Sequence, residues 1–243
     1  FFRKYGSWYL NLLKSFTHIF VQDKPSFELL SNYGLKNATI AGDTRFDRVS
    51  DLAKQAKKIE IVEAFVQNAE KVIVAGSSWP KDEELLIRYF QENPKIKLII
   101  VPHEIHEGHI TGITALLKTN YIRYTQADIS TVQQYNCMIV DTIGLLSSIY
   151  QYTNIAYIGG GFGVGIHNTL EAAVWNVPVV FGPNYTKFRE ARELINLGGG
   201  FSISDYFELK TIFDKLFTDK NAGEIAGNYV KQNTGATNLI LKE

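Results

Sequence analysis

Cysteine is nearly absent. Cys137 is the only one in 243 residues, so no intrachain disulfide can form and a reducing compartment fits the chain best. It lies in the apolar run "NCMIVD", which points to a buried, inert thiol and not to a nucleophile. An excess of charge is absent too: 25 Lys and Arg balance 25 Asp and Glu, a formal net charge of +0. Bulk electrostatics therefore favour no polyanion, nucleic acid is not an expected partner, and any anionic ligand must be held by local groups. No apolar run approaches the ~18 residues of a membrane span, and no secretory signal is seen. The chain opens at "FFRKYGSWYL" with no initiator methionine and reads as a soluble piece of something longer. The basic and aromatic mix of "FFRKYGSWYLNLLKSF" permits a membrane-surface helix, but a helix packed on a neighbouring domain is the preferred account.

What is present is globular: 45% hydrophobic and 21% charged residues, enough for one large domain or two small ones. Short β-branched runs at 18–22, 38–42, 71–76, 97–102, 121–125, 137–141, 155–160, 177–182 and 200–204 read as strands. Helical patterns near 50–69, 82–92, 105–118, 143–151, 168–175, 186–196, 205–218 and 222–231 separate them. Strands apolar on both faces and spaced by helices predict an α/β fold, a Rossmann-like parallel sheet with helices on both faces. The boundary is placed at Gly42: residues 1–41 read as the tail of one domain and 42–243 as a second, whose complete sheet begins at Lys71.

In such sheets ligands sit at the carboxyl ends of the strands. Five motif-like stretches fall there: "GSSWP" after the strand at 71–76, "PHE" after 97–102, "DTIG" after 137–141, "GGGFGVGIHN" after 155–160 and "GPNYTKF" after 177–182. The glycine loop has five glycines in residues 159–165 and matches neither a dinucleotide fingerprint nor a P-loop. One or two glycines would be a turn; five leading into His167-Asn168 at a helix start favour a phosphate or carboxylate site. Asn168 reads equally well as a helix cap, with Glu171 completing a box-like cap. Glu171 would repel phosphate, but it suits a ligand's sugar hydroxyls. Lys187 is as readily a solvated surface cation as an anion contact. In "AGSSWPKDEE", Ser77 and Ser78 precede a Pro-started acidic helix; ordinary capping explains them, and either can still face a ligand, while Trp79 is packing or a stacking wall. Four of the five histidines, 103, 106, 109 and 167, invite a metal reading, yet no ordered partners complete a ligand set, and none is expected.

Together these stretches resemble the C-terminal part of the 3-deoxy-D-manno-octulosonic acid (Kdo) transferases. "GDTRFDR" (42–48), "GIHNTLE" (165–171) and "FGPNYTKF" (181–188), in that order, carry the resemblance, which also runs through 19–23, 75–84, 98–104 and 140–146. It implies the C-terminal half of a GT-B glycosyltransferase, in which residues 42–243 bind the donor CMP-Kdo and 1–41 end the acceptor domain. Carried over residue by residue, it implies that Ser77 and Ser78 line the donor site, Pro102 and His103 approach the nucleotide, and Thr142, Ile143 and Gly144 flank the cytosine. Gly160, Gly161, His167 and Asn168 would hold phosphate or the Kdo carboxylate, and Glu171 would hold the ribose. His103 stands where many members have arginine, which takes away a charge-assisted contact of ~1.5–3 kcal/mol.

The resemblance further implies an inverting transfer of Kdo to a lipid A precursor at the cytoplasmic side of the inner membrane, without a cofactor or metal. The catalytic base, the acceptor site and any membrane contact would lie in the preceding domain. The expectation for this chain is binding of CMP-Kdo or CMP without turnover. Two other readings stay open: a UDP-sugar 2-epimerase or UDP-dependent transferase domain, and a non-enzymatic nucleotide-binding module.

Overall fold

The computed structural model describes residues 6–219 and 221–242. In chain order its elements begin α1 (Ser7–Lys14), β1 (Ile19–Val21), α2 (Lys24–Asn32), β2 (Ala38–Ile40), α3 (Thr44–Gln55) and α4 (Glu60–Val66). They continue with β3 (Lys71–Ser78), α5 (Pro80–Glu92), β4 (Ile96–Pro102), α6 (Glu107–Leu116), β5 (Tyr121–Arg123), β6 (Cys137–Ile139), α7 (Leu146–Ile149) and β7 (Ile155–Ile158). The last are α8 (Leu170–Ala173), β8 (Val179–Phe181), α9 (Arg189–Leu197), β9 (Gly200–Ser202), α10 (Tyr206–Leu216), α11 (Asn221–Gln232) and α12 (Ala236–Ile240). Contacts divide the chain into two units, Phe1–Ser50 with Gln232–Glu243, and Asp51–Lys231.

In the first unit β1 and β2 pair in parallel. Asp23 caps α2, accepting from the Ser26 amide at 2.8 Å, with Pro25 in the first turn. The "GDTRFDR" stretch is tied into the same unit. Asp43 accepts from the Arg45 amide at 2.9 Å and from its guanidinium at 2.7 and 2.9 Å. Asp47 accepts from the amides of Gly235 at 2.6 Å and Thr237 at 2.9 Å, which fastens the start of α12. Burial works against the Asp47 charge, but those hydrogen bonds outweigh it and hold its carboxyl below the usual aspartate range.

The second unit is built on seven parallel strands in the order β5-β6-β4-β3-β7-β8-β9. Every residue of β4, β6, β7 and β8 is buried, as strands covered on both faces must be. Ile73, Leu98 and Ile100 pack with Leu86 and Phe90 of α5 and with Leu209 and Phe213 of α10. Burial pushes the Cys137 thiol up, so it stays protonated in the core. The first strand of the unit, β3, is central: β4 flanks it on one side and β7 on the other. That reversal is the topological switch point, where a crevice opens beyond the strand ends.

Helices differ from the periodicity in informative places. The pattern over 50–69 is interrupted between α3 and α4, because the Tyr152 hydroxyl accepts from the Ile59 amide at 2.7 Å in place of a helical carbonyl. The helix expected over 168–175 is only the four residues of α8. The one expected over 186–196 starts at Arg189, and Asn184 ahead of it donates to the Gly163 carbonyl at 2.7 Å. Among the described residues no helix is long and apolar enough to cross a membrane.

Candidate functional site

The glycines after β7 are demanded first by backbone crowding. A Cβ on Gly159 would lie 2.1 Å from the Ser77 carbonyl oxygen, and one on Gly161 would lie 2.5 Å from the Gly182 nitrogen. Bare backbone therefore lets the exits of β3, β7 and β8 touch at the switch point. Ser77 itself is left-handed (φ +52°), at a bulge where the β3–β4 register shifts.

Most of the loop's amides are turned inward. Gly160, at φ +90°, donates to Asp82 at 3.0 Å. Gly163 and Gly165 both donate to the Gly160 carbonyl, at 2.9 and 3.3 Å, and His167 donates to the Gly159 carbonyl at 3.2 Å. The open row of amides expected at 159–165 is thus a closed turn. The N–H groups of Gly161, Asn168 and Thr169, by contrast, have no partner among the described residues. With α8 a single turn, little helix dipole reaches them.

Asp82 is the anchor of the loop. It is 1% exposed and accepts from the Tyr157 hydroxyl at 2.7 Å, the Gly160 amide and the Trp79 amide at 3.0 Å. Burial raises its pKa, opposed by these three donors. From the sequence it was only a dipole complement at the start of α5. The signal available was its position three residues beyond Trp79, where a capping carboxylate sits.

Three rings gather beside the loop. His103 stacks on Trp79 and on His167, with centroids 4.7 and 4.5 Å apart. The Trp79 indole N–H donates to His167 Nε2 at 3.4 Å, so the neutral His167 ring carries its proton on Nδ1. Burial, then the neighbouring His103, lowers the His167 pKa, and Asp82 only partly offsets them. At neutral pH His167 is thus an uncharged ring whose Nδ1 donor has no partner among the described residues.

The other expected residues fall around this cluster. Ser78 is fully buried and its hydroxyl donates to Glu83 at 2.8 Å, so it supports the site from beneath and does not face a ligand. Pro102 is buried opposite it in the β4 register. Asn168 accepts from the Leu170 amide at 3.1 Å and donates to Glu171 at 3.0 Å, so a local turn and a carboxylate clamp coexist there. Thr142, Ile143 and Gly144 form the separate β6 exit, one strand beyond β4, with Ile143 82% exposed. Lys187 is exposed in the turn before α9 and makes no ion pair among the described residues. A cleft of about 380 Å³ opens beside the loop, walled by Trp79, Asp82, Gly160 and Phe162. Of the residues expected to bind the donor only Gly160 lines it. Among the described residues no group of three His, Cys, Asp or Glu is placed to hold a metal ion.

Thr169 makes a sharp local test. Its hydroxyl is fully buried with no hydrogen-bond partner among the described residues, which costs ~1–3 kcal/mol. Thr169→Val is expected to raise the melting temperature by about 2–4 °C in calorimetry, because the shape is kept and the stranded hydroxyl is removed.

The geometry defines a class. The parallel sheet, with glycine-bearing loops meeting at its switch point, has the Rossmann-like fold of GT-B glycosyltransferase domains. Among solved structures, the C-terminal CMP-Kdo binding domain of WaaA from Acinetobacter baumannii matches 77% of this chain and 96% of its own length, with TM-score 0.59 and 20% identity. A putative UDP-N-acetylglucosamine 2-epimerase from Listeria monocytogenes shares the fold over 90% of this chain and 55% of its own, with TM-score 0.62 and 15% identity. No family model matches. In sequence the chain is 27% identical over 237 residues to the 3-deoxy-D-manno-octulosonic acid transferase of Aquifex aeolicus, covering 91% of this chain and 62% of that protein. The same enzyme of Chlamydia trachomatis serovar D is 29% identical over 188 residues, 75% of this chain and 43% of that protein. By sequence the chain is similar to 3-deoxy-D-manno-octulosonic acid transferases, and it spans less than two thirds of the length of these relatives.

Proposed function

We propose that this chain is the donor-binding part of an inverting glycosyltransferase that moves Kdo from CMP-Kdo to a lipid A precursor. The observation that carries the reading is the set of partnerless amides at Gly161, Asn168 and Thr169 beside the His167 donor. Donors held ready where a phosphate gains charge stabilise its departure without reorganising. In this reading those amides and His167 Nδ1 hold the cytidylate phosphate, Glu171 accepts from the ribose hydroxyls, and the Thr142–Gly144 turn borders the cytosine. Lys187 adds a mobile cation at the rim, and no metal or cofactor takes part.

The acceptor hydroxyl would be deprotonated by a base outside the part of the relatives that this chain matches. By itself the chain would therefore bind CMP or CMP-Kdo without transfer, since one absent general base removes ~10²–10⁴-fold of rate. The whole protein would act at the cytoplasmic face of the inner membrane. Calorimetric titration with CMP and, separately, with UDP tests the proposal. Binding of CMP that is unaffected by EDTA and at least about tenfold tighter than UDP supports it, a gap of ~1.4 kcal/mol. Tight UDP binding with no CMP heat would assign the site to UDP-sugar chemistry, which the epimerase-like fold also permits.

A further inference from the structure

His103 leaves β4 with its backbone pinned on both flanks. Its own N–H donates to the Ser78 carbonyl at 3.0 Å. The carbonyl of the next residue, Glu104, accepts from His109 Nδ1 at 2.8 Å, and because a carbonyl oxygen only accepts, Nδ1 carries a proton. His109 Nε2 faces the Glu83 carboxyl at 3.0 Å, and Glu83 accepts from the Ser78 hydroxyl at 2.8 Å. The chain closes into a circuit from Ser78 through Glu83 and His109 to the Glu104 carbonyl, and back through the His103 amide to Ser78. Glu83 is 2% and His109 8% exposed. A carboxylate serving only the α5 dipole would stay in water, whereas this one is drawn inside and partnered on both oxygens.

We infer that Glu83 and His109 are positioning residues for His103, fixing the strand-exit loop so that the His103 ring stays stacked on Trp79 and His167. His103 is otherwise an exposed side chain on a loop, and free rotation would take its ring away from the anion-binding donors. The two backbone pins reduce that freedom to the side-chain torsions, and the Trp79 and His167 faces then select the stacked orientation. The inference rests on the donor-binding reading only for the ligand half of its test.

The test follows the His103 Hε1 resonance and CMP affinity in wild type, His109→Leu and Glu83→Gln. His109→Leu strips the donor from the Glu104 carbonyl and leaves Glu83 buried beside an apolar side chain. The expected result is loss of the ring-current shift that the stacked indole imposes on His103, with CMP binding weakened about tenfold. Glu83→Gln keeps an acceptor for Ser78 and presents an N–H to His109 Nε2, so it is expected to retain the resonance and bind CMP within about threefold of wild type. A merely structural role for the pair would lower the melting temperature of His109→Leu while leaving the His103 resonance in place, and that result would overturn the inference. Should His109→Leu not fold, His109→Gln replaces it: its amide reaches the position of Nε2 beside Glu83 but leaves the Glu104 carbonyl without its donor, and the same two outcomes decide. If the wild-type chain binds no CMP, the donor reading falls, while the resonance comparison still decides the positioning role.

Discussion

Asp82→Ala is expected to destabilise the second unit by about 3–5 kcal/mol, read as a fall in the denaturant midpoint. The carboxylate satisfies three donors at once, those of Tyr157, Gly160 and Trp79, in a place almost without solvent. Each buried donor left unpaired costs ~1–3 kcal/mol, and a linked network loses more than one contact when its hub goes. Asp82→Asn should cost about 1–2 kcal/mol, because one amide oxygen can still serve Gly160 and Trp79 while the NH₂ group donates to the Tyr157 oxygen. The glycine turn should also loosen in Asp82→Ala, with faster amide exchange at Gly160 as its signature. A midpoint unchanged by the alanine substitution would show that the turn is held by its own backbone contacts alone.

Gly159→Ala is expected to be as damaging through a different mechanism. The added methyl would meet the Ser77 carbonyl at 2.1 Å and the Ser78 Cα at 2.7 Å, both backbone atoms that cannot swing away. One of the two strand exits must shift, at a cost of about 3 kcal/mol or more, toward the upper end of overpacking in a tight core. Because Ser77 and Ser78 sit on the displaced exit and Ser78 binds the His103 amide, the same variant should weaken CMP binding in whatever fraction remains folded. Gly163→Ala is the matching control. Its Cβ would make only ordinary contact, 3.6 Å from the Gly160 oxygen, so near-wild-type stability is expected. Equal damage from both substitutions would contradict the crowding argument.

The sheet was legible because burial on both faces writes continuous apolar runs into the sequence. "KVIVAG" and "KLIIVP" became the central pair β3 and β4, and the five loops singled out all leave the carboxyl edge of one sheet. Short helices were less legible. Periodicity over 168–175 cannot show that Asn168 diverts the first amide into a side-chain turn, leaving one helical turn behind it. The loop pattern singled out His167, Asn168 and Glu171, and it also suggested that the glycines bared amides for an anion. Close approaches of Gly159 to Ser77 and of Gly161 to Gly182 show that much of their purpose is to let strand exits touch. Asp82 and Glu83 looked like a surface helix start because their partners, Tyr157 and His109, lie 75 and 26 residues away. Contacts that distant leave no local periodicity to read.

The central claim, that a cytidylate phosphate is held by the amides at the switch point, is tested most directly by amide chemical shifts during a CMP titration. The account predicts the largest changes at Gly161, Asn168 and Thr169, whose N–H groups have no partner among the described residues, with smaller ones at the internally bonded Gly163 and Gly165. CMP binding that leaves those three amides unmoved and shifts resonances elsewhere would contradict it.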